Sequence, residues 1–194
     1  MRNESGWHWT TVGAMAITPD DKDWTWVLHQ PCGECGFDAR RMDVATTPSL
    51  VVEFTDAWQA VLRQPDVSTR PSPDKWSPLE YACHVRDVFR LFGTRLESMI
   101  DEDGARFENW DQDKTAIESR YDAQDPLVVS HEIVEAGSEL SRRFARVHGD
   151  LWHHRGIRSN GSEFTITTFA LYFAHDPIHH LWDVHSPYVF NPTP

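Results

Sequence analysis

Apolar residues recur at three- and four-residue intervals in four stretches of this chain, and polar, Pro- or Gly-rich segments divide them. In "TPSLVVEFTDAWQAVLRQP", Leu50, Phe54, Ala57, Val61 and Leu62 share one face of a 3.6-residue period. Thr47 is placed to cap this helix, Pro48 suits its first position and Pro65 ends it. In "SPLEYACHVRDVFRLFGTRLESMI", Leu79, Cys83, Val88, Leu91, Phe92 and Leu96 form the apolar set, and Ser77 with Glu80 predicts a capping box ahead of them. The third stretch opens at Pro126 and places Leu127, Ile133, Val134, Leu140, Phe144 and Val147 at helical spacing. The fourth, "SEFTITTFALYFAHDPIHHLWDVHS", carries Phe169, Tyr172, Phe173, Ile178 and Leu181, with Pro177 expected to kink it.

The connections are less regular. "DWTWVL" alternates enough for a short strand or extended arm, and Pro31, Gly33 and Gly36 impose a tight turn after it. The acidic segment after the second helix reads as a long surface loop with a short helix around Lys114 to Tyr121. "GDLWHHRGIRSNGSEF" reads as a loop, because its Gly and Asn residues preclude a continuous helix. The expected architecture is therefore all-α. Residues 1–46 form an irregular N-terminal extension with a CxxC turn, and residues 47–194 form a four-helix bundle with long connecting loops and a short tail.

Composition narrows the function. A net charge of −12 argues against nucleic acid and against an anionic membrane surface as partners. No stretch reaches the ~20 apolar residues of a spanning helix. The first residues lack an apolar core behind a basic start, so a cytoplasmic location is expected. A homodimer is left open. Nine Trp allow for an aromatic-lined pocket beside ordinary core packing. Three Cys argue against a disulfide framework, and Cys83 reads as a buried free thiol.

"HDPIHHLWDV" holds the densest chemistry. On a helix, His175 and His179 lie at i and i+4 and converge, as metal ligands must. Asp176 and His180 form a second such pair one step round the helix. A catalytic metal wants a third protein ligand and an open position. His84, His131, His148, His153 and His154 are the candidates, and His84 alone borders an apolar helix face. His153 and His154 read as solvated loop residues.

With "DKWSPLEYACHVRDV" and "FAHDPIHHLWDV" in place, the chain resembles the DinB superfamily over roughly Thr47 to Val184. That resemblance implies a four-helix bundle with a divalent metal near one end. It also implies a triad carried over to His84, His175 and His179, with Asp176 and His180 as the alternative register. Zinc is the first expectation for the ion, with nickel or iron as alternatives. Relatives use a low-molecular-weight thiol such as mycothiol as co-substrate. The implied activity is a metal-dependent transferase or isomerase acting on a small-molecule thiol and an electrophilic substrate. A non-catalytic metal-binding or stress-associated module is the alternative.

"PCGECG" admits three readings: half of a zinc site completed by His residues such as His8 and His29, a redox pair, or a plain turn carrying two thiols. The plain turn is the simplest of them. Whether Cys32 and Cys35 lean over the metal end of the bundle is left open.

Overall fold

The computed structural model describes residue 17 and residues 22–190. A proline stands in the first turn of three of the four long helices, where its missing N–H costs nothing. The first is α1 (Thr47–Leu62). Thr47 does not cap it, because its hydroxyl donates instead to the Val44 carbonyl at 2.7 Å. The second is α2 (Pro78–Asp101), opened by the expected Ser77/Glu80 capping box. Glu80 also holds Arg70 in an ion pair, so the cap ties the preceding connector to the helix.

The segment after α2 is more ordered than a surface loop. It contains β1 (Ala105–Phe107) and the short helix α3 (Gln112–Glu118). After α4 (Pro126–Phe144) the Gly-rich stretch forms β2 (Arg155–Arg158) and β3 (Glu163–Thr165). β1 pairs with β2 in parallel and β2 with β3 antiparallel, giving a three-stranded sheet. His154 is not a solvated loop residue, since its Nδ1 lies 2.9 Å from the Met99 carbonyl and ties β2 to the end of α2. β3 runs directly into α5 (Ile166–Asp183), which Thr165 and Thr168 cap reciprocally. The sheet thus links the end of α2 to the start of α5. α5 stays helical through Pro177.

α4 packs against both α1 and α2. Gly137 permits the close approach to α1, for a methyl group there would strike Thr55 Oγ1. At the centre, Phe173 of α5 meets Phe54 of α1, Phe89 and Phe92 of α2 and Phe144 of α4, with ring centroids 5.3–6.4 Å apart. Each long helix therefore contributes at least one ring to one aromatic cluster.

"DWTWVL" is a 3-10 turn over Trp24–Leu28 rather than a strand. Asp23, Asp38 and Asp43 each accept from the backbone N–H two residues on, so three aspartates fold the N-terminal arm through successive turns. Val27 and Phe37 of the arm are fully buried, and Phe37 packs on His175 of α5. Among the described residues no helix is long and apolar enough to cross a membrane.

Candidate metal centre

The last two turns of α5 present His175, Asp176, His179 and His180 as two adjacent stripes about 100° apart. Each stripe meets a different neighbour. The structure does not bring His84 together with His175 and His179. It groups His84 with Asp176 and His180, and it groups His175 and His179 with Cys32 and Cys35. Within each set, one donor atom per residue lies within 4.8 Å of all the others.

In the first set, His84 Nε2 is 3.4 Å from Asp176 Oδ2, and His180 Nε2 is 3.9 Å from the same oxygen. The His84 and His180 rings meet edge to face at 4.9 Å. Asp176 Oδ1 is buried and finds no hydrogen-bond partner among the described residues. Burial opposes ionisation of this carboxyl, but His84 and His180 beside it hold its pKa at about 2. A half-buried carboxylate with one buried, idle oxygen and two convergent imidazoles fits a divalent cation, and two His with one carboxylate leave coordination positions open. Asp183 Oδ2 lies 2.8 Å from His180 Nδ1, which orients the ring with Nε2 toward Asp176. Burial disfavours the Asp183 carboxylate, but the contact with His180 keeps its pKa below the usual range.

The centre lies at a cavity of about 700 Å³ that Asp176 and His180 help to line. Trp110 stacks on His84 at 5.3 Å, Trp76 lies 5.5 Å from the same ring, and Tyr81 lies 4.9 Å from His180. Farther along the wall are Arg95 and Arg158. Arg95 is buried, donates to the Glu108 carbonyl at 2.6 Å and covers the Phe107 ring. Burial and the nearby Arg158 lower its pKa to about 10, so it stays charged at neutral pH. Arg158 donates to Asn160 and Ser162. Neither arginine forms an ion pair among the described residues, although Asp23 on the same wall is near enough to Arg158 for their charges to attract.

In the second set, Cys32 Sγ is 3.6 Å from His179 Nδ1. Burial lowers the pKa of His175 to about 4, with His179 adding to the effect, so its ring is neutral at pH 7. Burial lowers that of His179 as well. Burial pushes the Cys35 thiol up to about 12, the reverse of what a redox-active cysteine needs. Cys83, also pushed up to about 12 by burial, is the expected inert core thiol. His29, His131, His148 and His153 are exposed and join neither set. His8 lies outside the described residues.

Sequence reasoning did not find Trp110, Arg95, Arg158 or Asp183. Trp110 and Arg158 stand in segments with no clear period, and only the sheet brings them to the cavity. Asp183 carried a signal, as it lies at i+3 from His180 and i+4 from His179.

A helical bundle with inward histidines at one end defines a class of metal-site bundles. The chain belongs to the DinB superfamily, whose family model matches residues 56–184. YfiT from Bacillus subtilis, described as a probable metal-dependent hydrolase with an unusual four-helix bundle topology, has a similar structure. The two superpose with a TM-score of 0.56 over 86% of this chain and 89% of YfiT, at 11% identity. At that identity the likeness shows the shared fold. No protein of curated function matches the sequence.

Proposed function

We propose that the protein is a metal-dependent enzyme with its reaction centre at His84, Asp176 and His180. The observation that carries this reading is the idle, buried Oδ1 of Asp176 between two imidazoles at a cavity wall. Zinc is the ion proposed. A bound divalent cation would supply Lewis acidity and favour the thiolate form of a thiol.

The residues do the rest. Asp183 holds the proton of His180 on Nδ1, and the Trp110 and Trp76 rings shield His84 from water. Arg95 and Arg158, neither locked in an ion pair, offer positive charge to an anionic substituent of the substrate. The substrates proposed are a low-molecular-weight thiol, such as mycothiol, and a small electrophile carrying a carboxylate or similar group, in a transfer or isomerisation. The YfiT description favours a second reading, hydrolysis, in which water takes the place of the thiol.

Calorimetric titration of the metal-loaded protein with mycothiol, bacillithiol and glutathione tests the choice. At least one thiol should bind to wild type and not to His180→Ala. No heat from any of the three would remove the thiol reading and leave hydrolysis. Equal divalent metal content in wild type and His180→Ala would remove the reaction centre itself.

A further inference from the structure

We propose that Cys32, Cys35, His175 and His179 form a second metal site, a closed structural zinc site that pins the N-terminal arm to α5. It shares no ligand with the reaction centre, although His175 and His179 line the same cavity as Asp176 and His180.

The distances fit tetrahedral coordination. With Zn–S near 2.3 Å and Zn–N near 2.0–2.1 Å, a tetrahedron has an S-to-N edge of roughly 3.6 Å. Cys32 Sγ and His179 Nδ1 are 3.6 Å apart. A thiol-to-imidazole hydrogen bond would account for that one pair. It would not account for four donor atoms drawn within 4.8 Å of one another, nor for His175 Nε2, which is buried without a hydrogen-bond partner.

The backbone prepares the sulfurs. The Gly36 N–H donates to the Cys32 carbonyl at 3.0 Å, and the Cys32 N–H to the Phe37 carbonyl at 2.8 Å. This turn needs the positive φ of +75° that Gly36 adopts. It places both thiols on the side facing α5. The outer contacts are also those of a metal-bound histidine. His179 Nε2 faces Glu34 Oε2 at 3.4 Å, which leaves Nδ1 for the site.

The chemistry of the set selects the ion. Two thiolates and two imidazoles in a tetrahedron suit zinc, and four protein ligands leave no open position. Cys32, His175 and His179 are all buried, as expected for a structural rather than a catalytic site. Cys32 and His179 lie 147 residues apart in the chain. The site would therefore staple the arm across the last helix. It would also seat Trp24, whose ring lies 5.3 Å from His175 and 5.0 Å from His179, as part of the cavity wall.

The test uses the full chain loaded with zinc. Zinc-edge X-ray absorption should show sulfur in the first coordination sphere of wild type, and two sulfurs per zinc in His84→Ala, where only the proposed structural site is filled. Cobalt substitution of His84→Ala should give a sulfur-to-metal charge-transfer band with no thiol added. Elemental analysis should find two zinc per chain in wild type and one in Cys32→Ser/Cys35→Ser. A wild-type zinc spectrum without sulfur would overturn the proposal, even if the double variant failed to fold. A sulfur signal together with undiminished zinc in His84→Ala would instead keep this site and remove the reaction centre.

Discussion

Asp183 touches both sets of ligands. Its Oδ2 is 2.8 Å from His180 Nδ1 and 4.0 Å from His179 Nε2. The short contact is the one that orients a ring, so its loss falls chiefly on the reaction centre. An outer-shell carboxylate of this kind typically contributes 10- to 100-fold in metal affinity. Asp183→Asn should lower affinity at the His84 centre by about that factor, read by competition with a chelator of known strength. Undiminished affinity would mean that packing against Tyr81 alone orients His180. Residue types and spacing on α5 were legible in the sequence, but their assignment was not. Both i, i+4 stripes face inward, and nothing in the residues says which faces α2. A preference for two imidazoles selects His175 and His179, whereas His84 in fact lies over Asp176 and His180. The turn at Cys32 and Cys35 takes the other stripe, and no local pattern could place that turn 147 residues away.

The long helices were legible because each carries its own period and, for α2, its own start signal. The sheet was not, because its strands are three or four residues long and show no sustained alternation. Their order comes from one another and from α2. The start of α2 also sets the position of His84 two turns on. There Glu80 accepts from the Ser77 N–H at 2.8 Å and pairs with Arg70. Burial works against this carboxylate, but Arg70 and Ser77 together hold its pKa below the ordinary range. The sign follows from that direction. The unfolded chain binds the proton more readily, so the contribution is whole above the unfolded pKa of about 4.3 and is lost as pH falls through the lower folded value. Glu80→Gln should cost roughly 1–3 kcal/mol at pH 7. The difference from wild type should shrink on acidification below about pH 4, measured by urea unfolding at each pH. A difference that stayed constant would show that the cap acts through geometry rather than charge. Gly137→Ala tests the α1–α4 contact in the same assay and should destabilise by roughly 1–3 kcal/mol through overpacking against Thr55. An unchanged midpoint would show that Thr55 can rotate away.

For the molecule as a whole, two proposed cation sites lie side by side on one helix. The His179 and His180 rings, one from each site, are 5.9 Å apart. The surrounding carboxylates Glu34, Asp176 and Asp183 suit two cations better than none. Binding to the folded state alone stabilises it by about 2.7 kcal/mol when free metal is a hundred times the dissociation constant. At roughly 2–4 °C per kcal/mol for a chain of this size, each filled site should raise the melting temperature by roughly 5–11 °C. Chelation should reverse both increments, and His84→Ala or Cys32→Ser/Cys35→Ser should each retain one. The increments should not add. Both sites draw on the one carboxylate of Asp183, so filling both should stabilise by less than the sum of filling each, as coupled neighbours do by roughly 0.5–3 kcal/mol. Metal-dependent melting of wild type, the two single-site proteins and their combination reads this coupling directly. Strict additivity would mean that Asp183 serves His180 alone and that the arm and the reaction cavity are joined by packing, not by charge.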